Sequence, residues 1–202
     1  MITIKGVIFD IGGVLLDSEK SFDGIFEEFA RALGVDPEKM VALHKRYLDR
    51  MLSGKMSAKQ FFSAIKKEFH LKRRDMEKVW LAIALKHIKL NKKLLAVTDK
   101  MRAHYRLALL SNVSEPRSLV DREFDLYSHF DQVFLSYKLH MQKPSKRTFR
   151  HALKKMRLKT NEALFIDDKE INLNAARALG IQSIQFNNNA QLLTELARLG
   201  LV

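Results

Sequence analysis

Five short apolar runs separated by helical patterns constrain the fold of this chain more than any other feature of its sequence. Residues 4–9 (IKGVIF) form the first run and lead directly into Asp10, Gly12 and Gly13, which reads as a buried strand feeding a tight loop. The other runs are 107–110 (LALL), 132–135 (QVFL), 163–166 (ALFI) and 181–186 (IQSIQF), with helical periodicities near 116–127, 145–156, 170–179 and 189–199. This βαβ rhythm predicts an α/β fold: a Rossmann-like, mostly parallel sheet with helices on both faces.

The segment between the first and second runs has a different texture. Apolar positions 22, 25, 26, 29, 30 and 33 keep a helical period, and Asp36-Pro37 supplies a cap and a first-turn proline for a helix reaching about Leu52. Ser57 with Gln60 forms a capping-box pattern ahead of Phe61, and further helical stretches fall near 75–88 and 91–103. No strand is expected between 17 and 103. Because the first strand must pair with the later ones, the chain divides into a core of residues 1–16 and 104–202 and an inserted helical cap of residues 17–103. Ligands of such sheets bind beyond the carboxyl ends of the strands, where the insertion would sit as a lid.

Composition narrows the chemistry. The chain contains no cysteine, which excludes disulfides, zinc-thiolate sites, iron–sulfur clusters and a Cys nucleophile. No run approaches the roughly 18 apolar residues of a membrane span, and the start shows no basic leader, so a soluble cytoplasmic protein without a membrane partner is expected. The net charge of +13 invites a polyanionic partner. Yet it is spread over both parts, with 20 basic and 12 acidic residues in 17–103 and 16 and 11 elsewhere. Basic clusters at 66–67, 72–74 and 92–93 sit at helix ends without aromatic alternation, so they read as solvated faces and argue against nucleic acid. The charge remains suited to drawing a phosphorylated substrate towards a cleft. Phe22, Phe26, Phe29, Phe61, Phe62 and Phe69 fall on apolar helical stripes and read as core. His129, His140 and His151 lack zinc spacing and read as surface or structural residues, although Tyr137 and His140, near the loop carrying Lys143, are candidates for a pocket rim, as are Tyr47, Arg50 and Met51 of the second cap helix.

Four loop regions following strands carry groups that matter together: Asp10, Ser111-Asn112, Lys143-Pro144 and Asp167-Asp168. Singly each is a turn or a cap; together they converge. Carboxylates gathered at a sheet edge repel unless a cation or a proton intervenes, and a hard, all-oxygen set favours Mg²⁺. Asp10 with Asp167 or Asp168 would be its ligands.

In order and spacing, FDIGGVLLD, LLSN, HMQKPS and FIDDKEINLNAARALG resemble the four motifs of the haloacid dehalogenase-like (HAD) hydrolase superfamily, and the insertion resembles the cap that follows its first strand. The resemblance implies a Mg²⁺-dependent phosphatase acting on a small phosphorylated metabolite. Asp10 would be the nucleophile that becomes an aspartyl phosphate, its other oxygen binding the metal. Ser111 would donate to a phosphoryl oxygen and Lys143 would neutralise the nucleophile and the transferred group. Gly12, Gly13 and Asn112 would line the substrate site, Gly12 offering its carbonyl to the metal. Asp167 would complete the metal shell directly, with Asp168 acting through water or as an orienting group.

One position departs from that pattern. Gly12 stands where the superfamily usually carries the Asp that protonates the leaving group and then activates water, help typically worth about 10²–10⁴-fold. The departure implies a good leaving group, a substitute carboxylate such as Asp17 or Glu19, substrate assistance, or a descendant that binds without turnover. A 2-haloacid dehalogenase would need an arginine just after the first motif, and none occurs before Arg31.

Overall fold

The computed structural model describes residues 3–72 and 75–202; Arg73 and Arg74 of the basic cluster at 72–74 lie outside the described residues. In chain order the elements begin with β1 (Gly6–Phe9), β2 (Leu16–Ser18), α1 (Phe22–Leu33), α2 (Pro37–Leu52), α3 (Ala58–Glu68), α4 (Met76–His87), β3 (Ile88–Leu90) and α5 (Lys92–Met101). They continue with β4 (Arg106–Ser111), α6 (Glu115–Glu123), β5 (Gln132–Leu135), α7 (Ser136–Leu139), α8 (Lys146–Met156), β6 (Ala163–Asp167), α9 (Glu170–Arg177), β7 (Gln182–Gln185) and α10 (Asn189–Arg198). Five strands pair in the order β5-β4-β1-β6-β7, all parallel, as the βαβ rhythm predicts.

The central strands are apolar on both faces because both faces are covered. Val7, Phe9, Leu107, Leu109, Leu164 and Ile166 pack into one core, whereas Ile8, Ala108, Leu110 and Phe165 alternate into the other with Phe149, Ala152 and Leu153 of α8. The first core is continuous with the interior of the insertion, where Phe26, Phe29, Phe61, Phe62 and Trp80 meet. Those rings make edge or tilted contacts, such as Phe26 on Phe61 at 5.9 Å, which suits their quadrupoles. The helix ends follow the local signals: Asp36 accepts from Glu38 and Lys39 ahead of α2, and Ser57 and Gln60 form the reciprocal capping box of α3.

Two findings differ from the sequence reading. Leu16–Ser18 and Ile88–Leu90 pair as a short antiparallel ribbon, although no strand was expected between 17 and 103. Three residues are too few to display a period of two, and the pairing joins segments about seventy residues apart, so local pattern carries no trace of it. The ribbon carries the chain into and out of α1–α4. Helix α5 turns back to the sheet side: Asp99 pairs with His129 at 2.7 Å, Arg102 with Asp131 at 3.0 Å, and Asn91 exchanges side-chain hydrogen bonds with Asn189.

The turn between α2 and α3 rests on the core. His140 Nδ1 meets the Ser53 carbonyl at 2.8 Å, and Glu115 accepts the Ala58 N–H at 2.7 Å. Gly54 has φ +71°, and a β-carbon there would lie 2.0 Å from the Tyr137 carbonyl oxygen. Tyr137 and His140 thus seat the insertion and do not line the cavity beneath it. Gly54→Ala is expected to lower the melting temperature by several degrees through about 1–2 kcal/mol of left-handed backbone strain plus this collision; an unchanged melting curve would show that the turn does not seat as described.

Candidate active site

The parallel register brings the polar strand ends together. Phe9 lies beside Ile166 on one side and Leu109 on the other, so Asp10 and Asp167 emerge as neighbours and Ser111 ends the adjoining strand. The Asp10 N–H donates to the Ile166 carbonyl at 2.9 Å, which continues the ladder to the residue that bears the carboxylate. Beyond it the chain must turn sharply, and Gly13 does so at φ +78°. A β-carbon at Gly13 would lie 2.5 Å from Asp168 Oδ2, so glycine is required for that carboxylate's approach.

Lys143 is the centre of the cluster. Its ammonium lies 2.9 Å from Asp10 Oδ1 and 2.5 Å from Asp167 Oδ2, and all three side chains are buried. Asn112 positions it: Oδ1 accepts the Lys143 N–H at 2.8 Å and Nδ2 donates to the Lys143 carbonyl at 2.8 Å. The Asn112 side chain is thereby engaged with the protein, which makes it a positioning residue even though it lines the cavity. Asn172, which sequence reasoning missed, donates to both Asp167 oxygens at 3.0 Å, and the Lys169 N–H reaches Asp167 Oδ1 at 2.8 Å. Its signal was available: Asn172 falls five residues after Asp167, inside the fourth motif.

Burial pushes the Asp10 carboxyl up from its usual range, the Lys143 ammonium opposes this, and the nearby Asp167 charge adds to it. Asp168 is likewise raised, by burial first and by Asp167 second. Asp10, Asp167 and Asp168 each offer an oxygen, all within 4.8 Å of one another. Asp168 Oδ1 is buried and has no hydrogen-bond partner among the described residues. Such a cluster of hard oxygens with an orphaned acceptor fits a small divalent cation. Asp167 has its oxygens engaged by Lys143, Asn172 and Lys169, so the open donor of the pair is Asp168, whereas the sequence reading favoured Asp167 as the direct ligand.

Asp10, Lys143 and Asp168 of the cluster form the floor of a cavity of about 630 Å³ that is lined there by Gly12, Gly13 and Ser111 as well and runs up into the insertion; Asp167 is fully buried and does not line it. Of the cap residues expected at its rim, Met51 lines it, while Tyr47 and Arg50 lie outside and stack on each other at 5.9 Å. Asp17 also lines the cavity; Glu19 does not and pairs with Lys89. Phe26 and Phe61 are core residues as expected, yet they also wall the cavity, and Phe22 is 39% exposed where a core position was expected. His44 and Trp80, which the sequence did not single out, line it as well. Burial drives the His44 pKa down to about 4, with Asp23 opposing weakly, so the ring is neutral near pH 7.

A five-stranded parallel sheet whose central strand ends in a lysine-bridged carboxylate, roofed by a helical insertion, is thus the frame of the site. Residues 4–180 match the family model described as haloacid dehalogenase-like hydrolase, and the chain belongs to that family. The D-ribitol-5-phosphate phosphatase of Bacteroides thetaiotaomicron is 27% identical over 204 residues, 96% of this chain and 97% of the relative. Drimenol cyclase of Aspergillus calidoustus is 22% identical over 97% of this chain, which spans 36% of that longer protein. Among solved structures, a HAD family enzyme of Bacteroides thetaiotaomicron in complex with magnesium and inorganic phosphate has a TM-score of 0.79 at 23% identity, covering 94% of this chain and 98% of its own, a likeness of fold.

Two stability measurements check the site. Lys143→Met leaves two buried carboxylates without their cation, and urea unfolding at pH 7 should lose about 3–5 kcal/mol; an unchanged midpoint would contradict the buried bridge. His44 has its folded-state pKa below the unfolded one, so its contribution is complete above pH 6.5 and is lost as pH falls towards about 4. The stability difference between wild type and His44→Phe should therefore move by about 3 kcal/mol in the variant's favour between pH 7 and pH 4. A pH-independent difference would mean that His44 is not held neutral by burial.

Proposed function

We propose that the protein is a Mg²⁺-dependent phosphomonoester hydrolase, acting on a small phosphorylated metabolite through an aspartyl-phosphate intermediate on Asp10. The Lys143 ammonium between Asp10 and Asp167, at the floor of a cavity that reaches into the insertion, is the observation that carries this reading. It is supported by the full-length relative named as a D-ribitol-5-phosphate phosphatase and by a structural neighbour crystallised with magnesium and inorganic phosphate.

When bound, Mg²⁺ held by Asp10, Asp168, Asp167 and the Gly12 carbonyl would neutralise charge on a phosphoryl oxygen. Every other step falls to the chain's own groups. Asp10 Oδ1 accepts the Ile11 N–H at 2.7 Å and pairs with Lys143, so Oδ2 is the attacking atom. It forms a bond to phosphorus while the bond from phosphorus to the alcohol oxygen breaks, and the departing oxygen takes the electron pair and then a proton. Water next attacks the phosphorus of the acyl phosphate, which releases inorganic phosphate and returns the Asp10 carboxylate. Ser111, buried at the end of β4, donates its hydroxyl to a nonbridging oxygen, and Lys143 offsets the charge that builds on the transferring group. The lid that excludes water is α1–α4; α5 belongs with the core because Asp99, Arg102 and Asn91 tie it there.

Proton transfer is the distinctive step. Gly12 has no side chain to perform it, and Asp17 is the carboxylate that the cavity offers in its place. A β-carbon at position 12 would meet no atom within 4 Å, so the backbone there has room for the start of a side chain. The same Gly12 favours a second reading, a protein that binds phosphorylated ligands with little turnover.

Phosphate release from a panel of phosphorylated metabolites should require Mg²⁺ and fall to background in Asp10→Asn. Gly12→Asp should raise kcat on the best substrate by about 10²-fold, and Asp17→Asn should lower it by a similar factor. Release that persists in Asp10→Asn would overturn the nucleophile. Retention of phosphorylated ligands without release from any of them would favour the binding reading.

A further inference from the structure

The wall of the cavity holds a charged group that the proposed reaction does not use. Arg117 is the third residue of α6, where a helix end favours acidic side chains, and its partner Asp121 follows one turn later, so the pair runs against the helix dipole. The fold braces it nonetheless. Arg117 Nη1 donates to Asp121 Oδ1, and the Tyr127 hydroxyl donates to Asp121 Oδ2 at 2.8 Å, with Asp121 completely buried. The guanidinium also sits over the Phe22 ring, its carbon 5.6 Å from the centroid. Both oxygens of Asp121 are thus engaged, whereas Nε and Nη2 of Arg117 have no hydrogen-bond partner among the described residues. Neither nitrogen is sealed off, since the unpartnered side-chain nitrogens buried among the described residues are those of His44 and Trp80. The Arg117 side chain keeps 11% of its surface accessible and lines the cavity, so its open N–H groups reach space that a ligand can enter.

We infer that Arg117 binds a second anionic group of the substrate, so that the cavity selects phosphomonoesters whose alcohol part carries a carboxylate or a further phosphate. This rests on the phosphatase reading and narrows its substrate class. Nε–H and Nη2–H leave one edge of a guanidinium in parallel, a fork that matches two oxygens of either group. An arginine that served the ion pair alone would gain nothing from an open edge, because a buried pair stabilises a fold only when its remaining donors are satisfied. Lys20 adds to the same potential from the insertion side. It lines the cavity and shares the Glu28 carboxylate with Lys86, two ammoniums on one acid. The phosphoryl group at Asp10 and the anion at Arg117 must fit one cavity of about 630 Å³, which suits a short chain between them.

The wild-type kcat/KM with Mg²⁺ is compared between phosphate esters of short ω-hydroxycarboxylic acids and their primary amides, which are uncharged and share the primary alcohol. Alkanediol bisphosphates, set against the corresponding monophosphates, form the second arm. At least one anionic ester should exceed its uncharged counterpart by about tenfold or more, and the arm in which it does so identifies the anion. Arg117→Gln with Asp121→Asn replaces the charged pair by a neutral hydrogen-bonding one and should bring that ratio to about one. Arg117→Lys keeps a cation on the buried Asp121 but removes the fork, and should lower the ratio about threefold or more even where the double variant fails to fold. Calorimetric titration with the phosphonate analogues of both arms reads the same ratios without turnover. Phosphate release with every ratio below tenfold, or a ratio that Arg117→Lys leaves unchanged, would overturn this inference and leave the phosphatase reading standing. Release from no ester, together with a tenfold preference for an anionic phosphonate that Arg117→Lys weakens, would do the reverse. Neither release nor preference overturns both.

Discussion

A single buried ammonium holds the site together. Three carboxylates with oxygens inside 4.8 Å of one another would not stay ionised in a low-dielectric interior without compensation. Lys143 supplies it to Asp10 and Asp167, and the protein spends several groups on fixing Lys143 and its partners. Asn112 grips the lysine's backbone on both sides, and Asn172 holds both oxygens of Asp167. The compensation is incomplete by design of the geometry: Asp168 keeps an orphaned oxygen, and burial still pushes Asp10 and Asp168 up. A site that remains electrostatically unsatisfied in this way fits the cation and the phosphoryl group of the proposed reaction.

The sheet is what makes this arrangement reproducible. Parallel pairing of β1 with β4 and β6 aligns the carboxyl ends, so residues distant in sequence leave the sheet side by side. Gly13 then folds the chain back closely enough for Asp168 to approach. The insertion enters and leaves through the β2–β3 ribbon, directly beside this loop, and so brings an aromatic interior over the polar floor.

Much of this was legible in the chain itself, and for physical reasons. Strands buried on both faces must be continuous apolar runs, and the polar residues that end them cannot hide in such a pattern; Asp10, Ser111, Asp167 and Asp168 were visible as interruptions, whereas Lys143 stands in the loop HMQKPS beyond β5 and was visible by that motif. What escaped notice depended on contacts across the fold. The β2–β3 ribbon has too few residues to show a period, and Asn172 looks like any polar residue on a short helix. His44 and Trp80 sit on helical stripes beside core phenylalanines, and periodicity cannot distinguish a side chain facing a packed core from one facing a cavity that the core encloses. Phe22 shows the same ambiguity from the other side, falling on the apolar stripe yet standing at the mouth of the cavity.

Gly12 gives this family member its individual character: a lysine-bridged carboxylate floor with no side chain at the position where the family usually carries an acid. The proposed phosphoryl transfer depends on Asp10 acting as a nucleophile. The most direct measurement is acid-quench mass spectrometry of the protein during turnover with Mg²⁺ and a hydrolysed phosphomonoester. The account predicts a peptide containing Asp10 heavier by one phosphoryl group, absent from Asp10→Asn. Turnover with no such adduct under quench conditions that preserve acyl phosphates, or an adduct on another residue, would contradict it.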